Sequence, residues 1–394
     1  MRALWQCSLL ALIVGLLAGL PASSRAQTPT GDEPQLTLAV AQLLAVPYAV
    51  LGADNRLHLP YELVVTNASP GTMRLDSVQA LDGADRSRVL ATLDGATLAA
   101  AYVPLVPGDG TTLGPAQVGR LFLDLTFDAG ATLPRTLAHR FTVTLTPASG
   151  APTQSTGVTG FSEVGQASAV VLDPPLAGAR WLVGNGCCFP PSLHRTAVLP
   201  VDGAFHAAQR FAIDFMQLDA QGRLVNGPLD QLSSYPFYGA EVYAVADGMV
   251  VRSLDGLPEQ TPGELPTDTT PANITGNYVV LDIGNGRFAF FAHLQPGSIR
   301  VQVGDRVTRG QVLALLGNTG NTSAPHLHLH VMDGPGPITS NGLPFVFRTF
   351  NSEGTVTGSD DEDLSQPLTI GPVLAGSHRD QMPMVDQVIS FPPR

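Results

Sequence analysis

Apolar and polar residues alternate with period two along the first third of the chain. Leu36-Thr37-Leu38-Ala39-Val40 and residues 58–65, 118–127 and 139–145 each predict a strand with one inward face. Turn signals such as Gly52-Ala53-Asp54-Asn55 and Pro107-Gly108-Asp109-Gly110 separate them, and no helical period intervenes. Strands at this spacing predict a small β-sandwich of immunoglobulin-like type over residues 35–146. His58 and His139 stand alone in their strands and are expected to be surface or capped residues, not ligands.

Residues 147–166 are rich in Ser, Thr, Gly and Pro and are expected to be a linker. Residues 167–350 form a second β-rich domain, making the chain all-β. Within it, residues 254–275 are a polar, Pro-rich insertion, either one wall of a groove or surface decoration. Residues 351–394 are expected to be an acidic tail, mobile around 353–362, in which the alternation at 382–391 suggests a returning strand.

The other end of the chain carries an address. Arg2, the uncharged apolar run 8–20, and Ser24-Arg25-Ala26 before Gln27 predict a secretory signal peptide over 1–26, followed by a disordered leader at 27–34. Cys7 lies too early to be a lipid-attachment cysteine. No later segment approaches the length of apolar chain a membrane span needs, so a secreted or periplasmic protein without a span is expected. Loss of Arg2 and Arg25 takes the net charge from −12 to −14, and only 14% of residues are charged. That balance disfavours nucleic acid and anionic membranes as partners. Two cysteines then remain, the neighbours Cys187 and Cys188, and in an oxidising compartment they are expected to close a vicinal disulfide.

Chemistry concentrates between residues 194 and 330. In Pro325-His326-Leu327-His328-Leu329-His330-Val331, strict alternation puts the imidazoles on one strand face and the aliphatic residues on the other. Same-face neighbours lie about 7 Å apart, which suits one ligand plus one group reaching a substrate. Asp214 stands alone in Arg210-Phe211-Ala212-Ile213-Asp214-Phe215, and a buried carboxylate there needs a cation, a metal or several donors. His293 ends the aromatic run Phe290-Phe291-Ala292-His293.

Together with Val242-Tyr243-Ala244-Val245-Ala246-Asp247-Gly248, Gly276-Asn277-Tyr278-Val279-Val280, Gly304-Asp305-Arg306-Val307 and Arg309-Gly310-Gln311, these strings resemble the lysostaphin/LytM-type zinc metallopeptidases, which cut peptide cross-bridges of peptidoglycan. The resemblance implies a β-sheet fold of the duplicated hybrid motif type with one Zn²⁺ per chain. It makes Asp214 and His328 metal ligands, and His293 and His326 the catalytic pair. The family's first ligand would fall at position 210, where this chain has Arg210. Two histidines upstream are candidates, His194 and His206. A hairpin about Asp202-Gly203 with a three-residue loop would pair Val201 with Phe205 and set His194 opposite Ala212, which favours His194. Arg210 would contact a substrate carboxylate or balance Asp214. His330 would orient the ligand beside it or be a spectator.

Two imidazoles and a carboxylate leave a position on zinc for water, so the resemblance implies a hydrolase with His326 as general base and His293 on the oxyanion or leaving group. Peptidoglycan peptide stems are the expected substrate, and the N-terminal sandwich is a possible site for a protein partner. The competing readings are a non-catalytic relative that binds or activates another cell-wall enzyme, and a zinc peptidase acting on exported protein.

Overall fold

A computed structural model of the chain describes residues 35–188, 191–358 and 364–393. The signal-peptide and leader readings, and the acidic run 359–363, lie outside the described residues. Among the described residues, helix is confined to Gly95–Ala101, Leu193–Thr196 and a 3-10 turn at Leu232–Ser234, so the chain is all-β as expected. No helix among them is long and apolar enough to cross a membrane.

The N-terminal domain is built from two five-stranded sheets. Arg56–Asn67 pairs antiparallel with Val118–Asp128 in one sheet, and Thr72–Asp82 with Thr136–Thr146 in the other. Period-two alternation turns Leu59, Tyr61, Leu63 and Val65 into a core shared with Val78, Phe141 and Val143 of the facing sheet. The sandwich extends past its expected boundary. Within the stretch expected to be a linker, Thr153–Glu163 is an edge strand paired with Thr136–Thr146. Its exposed or half-buried Ser and Thr side chains carry no apolar alternation, yet β-branched Thr suits a pleated edge. The two sandwich histidines are buried rather than at the surface. His58 is held between Asp54 (3.0 Å) and Asp124 (2.7 Å), and His139 between the Tyr61 hydroxyl and Gly160 O, both at 2.8 Å.

The second domain is organised on a 13-stranded sheet. Its order runs through Phe345–Val356, Gln387–Phe391, Gly178–Gly184, Ile213–Gln217, Leu327–Met332, Phe288–Leu294, Asn277–Asp282 and Gly248–Leu254. Here the expected tail is corrected. Glu353 lies inside the strand Phe345–Val356, and Gln387–Phe391 is inserted between that strand and Gly178–Gly184 with Val388, Ile389 and Phe391 buried. The returning strand therefore completes the sheet from within. Its partner Gly178–Gly184 lies some two hundred residues away in sequence, a pairing local pattern cannot announce.

The domains share core. Val50 and Ala53 belong to the apolar cluster of the second domain, and Ala53 N donates to Met382 O while Met382 N donates to Leu51 O, each at 2.9 Å. The hairpin upstream of Asp214 also differs from expectation. Val201 pairs with Ala204 across a two-residue Asp202-Gly203 turn whose φ angles of 52° and 80° are both positive, as such turns require. That shorter loop leaves His194 outside the hairpin, in the one-turn helix Leu193–Thr196.

Candidate metal centre

Asp214 sits on Ile213–Gln217 directly opposite His328 on Leu327–Met332, and His328 is opposite Ala292 on Phe288–Leu294. Alternation sends Leu327, Leu329 and Val331 into the apolar core and leaves the imidazoles on the other side. His328 Nδ1 lies 2.9 Å from Asp214 Oδ1, and His194 Nε2 lies 3.1 Å from Asp214 Oδ2. Donor atoms of His194, Asp214 and His328 all fall within 4.8 Å of one another, and all three residues are buried. His194, expected upstream as the replacement first ligand, is thus brought to the same point as Asp214 and His328, but along a different route. His194 reaches the centre from a helix rather than from a strand opposite Ala212, although its Nδ1 does hydrogen-bond to Ala212 O (3.1 Å) and to Asn185 O (2.9 Å).

Those two carbonyls fix the ring. A carbonyl only accepts, so Nδ1 carries the proton and Nε2 turns its other valence toward Asp214. His328 shows the converse arrangement. Its Nε2 is 2.8 Å from His330 Nδ1, so a His328 that ligates through Nδ1 keeps its proton on Nε2 and donates it to His330. His330 is thereby placed to orient the ligand; its own Nε2 is buried without a partner. Asn185, which carries no signal in the sequence analysis, donates its Nδ2–H to Asp214 Oδ2 at 2.8 Å. Its φ of 51° is the one local sign of a special position.

A second overlapping group comprises His293, His326 and His328. The His293 and His326 rings are 4.6 Å apart. His293 Nδ1 donates to Thr319 O at 2.6 Å and His326 Nδ1 to Ala324 O at 2.9 Å, so the neutral form of each directs an Nε2 lone pair at the cleft. His326 Nε2 is 3.4 Å from Asp214 Oδ1. Of the two groups, the one with Asp214 supplies a negative charge to offset a dication, so it is the better metal cage. His206 belongs to neither group; it pairs with Leu199 in the hairpin. Arg210 does neither of the things expected of it. It is 2% exposed and its guanidinium lies 2.6 Å from Glu62 of the sandwich.

Burial would push the Asp214 carboxyl up, but His194 and His326 outweigh it and hold the group well below the usual carboxylate range. Burial lowers His194, and the adjacent Asp214 more than reverses this, so it is raised. Burial, reinforced by the neighbouring imidazoles His326 and His328, holds His293 well below the ordinary histidine value. His328 is lowered to about 4, burial prevailing over Asp214. Two imidazole nitrogens converging with an ionised carboxylate form a donor set that fits Zn²⁺.

The centre lies at the floor of a cleft of about 520 Å³. Leu193 and Leu199 line one side, and Leu265, Ile274 and Thr275 of the 254–275 insertion line another, so the insertion forms a wall. Among the described residues, no ionisable side chain lines it apart from Asp214 and the histidines.

Residues 236–340 match the model for Peptidase family M23. The chain therefore carries an M23-type domain over those residues. The matched segment contains His293, His326, His328 and His330 and leaves His194 and Asp214 upstream. Curated relatives include the peptidoglycan DD-endopeptidase ShyA of Vibrio cholerae, 33% identical over 102 residues, which are 26% of this chain and 20% of that protein. Another is endolysin 2638A of Staphylococcus phage 2638A, 33% identical over 78 residues, 19% of this chain and 16% of that one. The chain thus spans about a fifth or less of these relatives. Among solved structures, the catalytic domain of lysostaphin from Staphylococcus simulans is 22% identical, with 42% of this chain and 88% of that one covered and a TM-score of 0.24. A zinc-containing peptidase from Vibrio cholerae is 16% identical, with 71% and 79% covered and a TM-score of 0.26.

Proposed function

We propose that the chain is an exported zinc-dependent endopeptidase that hydrolyses peptide cross-links of bacterial peptidoglycan. The observation that carries this reading is the convergence of His194, Asp214 and His328 at the floor of an open cleft, with His293 and His326 beside them. The family match and the relatives named as peptidoglycan endopeptidases supply the substrate class. A zinc ion held by His194 Nε2, Asp214 and His328 Nδ1 would acidify a water molecule and polarise the scissile carbonyl.

The chain's own residues do the rest. His326, with its proton fixed on Nδ1 by Ala324 O, offers Nε2 as the base that takes a proton from the attacking water. His293 is anchored in the same sense by Thr319 O, so its Nε2 donates only after gaining a proton. It therefore serves as the carrier that receives the water proton from His326, whose ring is 4.6 Å away, and passes it to the leaving amine, so that both rings end neutral; it donates to the oxyanion only while it holds that proton. His330 and Asn185 hold His328 and Asp214 in place. The uncharged walls favour a peptide segment of small or aliphatic residues flanking the scissile bond, bound mainly through its backbone.

Zinc stoichiometry of the purified protein, followed by digestion of purified peptidoglycan with mass analysis of the released peptides, tests the reading. One zinc per chain and new amino termini within the stem or bridge peptides are expected. A folded, zinc-supplemented protein that binds no metal would leave a non-catalytic binding or activating role in its place.

A further inference from the structure

The metal-binding histidine sits on an element too short to hold itself. Leu193–Thr196 is one helical turn, capped by the Ser192 hydroxyl, which accepts from Arg195 N. A single turn fixes several backbone angles for one hydrogen bond, so its position is imposed by what it packs against. Within its own domain His194 is held by Asn185 O and Ala212 O, and Arg195 Nη1 donates to Cys188 O (3.3 Å); the remaining anchors come from the sandwich. Arg195, next to His194, reaches across the domain boundary with Nε and Nη2 at 3.2 and 3.0 Å from Glu62 Oε1. The same Nη2 donates to Tyr61 O (2.8 Å) and Leu123 O (2.9 Å). From the opposite direction, Arg120 of the sandwich donates to Thr196 O at the end of the turn (3.2 Å).

The second oxygen of Glu62 is used in the same way. Arg210, four residues before Asp214, places Nε 2.9 Å and Nη2 2.6 Å from Glu62 Oε2, and its Nη1 donates to Val46 O (2.8 Å). Glu62 is fully buried, and Arg195 and Arg210 are 1% and 2% exposed. A buried carboxylate gripped by two planar guanidinium forks is a directional joint, since each fork admits few orientations. This one ties the segment before His194's turn end and the segment leading into Asp214 to a single residue of the other domain.

We infer that Glu62 is a positioning residue for the zinc site: through Arg195 and Arg210 it sets the distance between His194 and Asp214, and the N-terminal domain is thereby part of the metal centre. The inference rests on the zinc reading above and adds to it the device that makes a displaced first ligand workable. Arg210 occupies the position from which the resemblance would take that ligand, and it has become half of the clamp that positions the replacement.

The test uses the full exported chain. Zinc affinity is measured by competition with a chromophoric chelator, and the visible spectrum of the Co²⁺-substituted protein reports ligand geometry. Glu62→Gln keeps the shape of the side chain and removes its charge; it is expected to weaken zinc binding at least tenfold and to alter the Co²⁺ spectrum. Val143→Ala, in the sandwich core away from the boundary, is expected to lower stability with zinc affinity and spectrum unchanged. Folded Glu62→Gln with parental affinity and spectrum overturns the inference and leaves the zinc reading intact. Equal loss of affinity in Val143→Ala also overturns it, because stability alone would then account for the effect. A parent that binds no zinc overturns both. If Glu62→Gln does not fold, Arg195→Lys, which keeps the charge and loses the fork, carries the same expectation, and unchanged affinity there is equally decisive.

Discussion

At His293 and His326 a backbone carbonyl decides which ring nitrogen works, and at His194 two carbonyls do. That separates ligands from bases more sharply than proximity does. His326→Ala is expected to retain one zinc and lose turnover by at least a hundredfold, the usual size of a lost general base. Zinc loss in that variant would mean that base and ligand have been exchanged. His194→Ala and Asp214→Asn are expected to lose the metal, and His206→Ala to keep it, as read by zinc analysis of the folded proteins. His139 gives a different prediction, remote from the metal. Burial lowers it to about 4, and its neutral ring is fully bonded between Tyr61 and Gly160. Between pH 6.5 and about 4 the unfolded chain takes up a proton that the folded chain refuses, so stability falls as pH drops, by about 3 kcal/mol across the window. Denaturant midpoints at pH 7 and 4.5 should show this fall, and His139→Gln should reduce it. Among the residues, His326, His328 and Asp214 were legible because alternation and an unpaired carboxylate are local signals. Arg210 and Glu62 were not, because each looks like an ordinary charge until the other is brought against it.

The elements around the site succeed or fail by how closely backbones approach. The strap that holds His293 through Thr319 O passes over Gly276, whose φ is 63°; a Cβ there would lie 2.1 Å from Thr319 O. A Cβ on Gly320 would lie 2.2 Å from Gly276 N. Neither glycine can accept a side chain without moving the carbonyl that fixes the His293 proton. Gly276→Ala is therefore expected to keep zinc, since His194, Asp214 and His328 are on other segments, while losing activity at least tenfold. Retained activity with ordinary pH dependence would show that the strap does not set His293. Strand legibility follows the same physics. Strands such as Arg56–Asn67 and Thr136–Thr146, whose sequences alternate, were found within a few residues, although residues 58–63 of the first are buried on both faces. Thr153–Glu163, polar on an edge, reads as linker; Gln387–Phe391 reads as a returning strand from its alternation, but its place beside Gly178–Gly184, remote in sequence, does not.

At the scale of the molecule, the two domains meet through a charge cluster where most domain contacts are small and wet. The burial of Glu62, Arg195 and Arg210 costs desolvation that the ion pairs only partly offset, so the cluster is not a source of net stability compared with apolar packing. Breaking it is another matter, because one deleted charge strands two guanidinium groups. Glu62→Gln should lower unfolding stability by about 3–5 kcal/mol, the range for removing one partner of a buried pair. Replacing all three residues together with Leu and Met of similar volume should recover most of that loss, since no charge is then left buried. Chemical denaturation of the parent and both variants at pH 7 distinguishes the cases. If the single and triple variants are equally destabilised, the cluster was contributing net stability. If the triple variant is as stable as the parent yet binds zinc more weakly, ionic geometry is retained at this boundary for the metal centre, not for the fold.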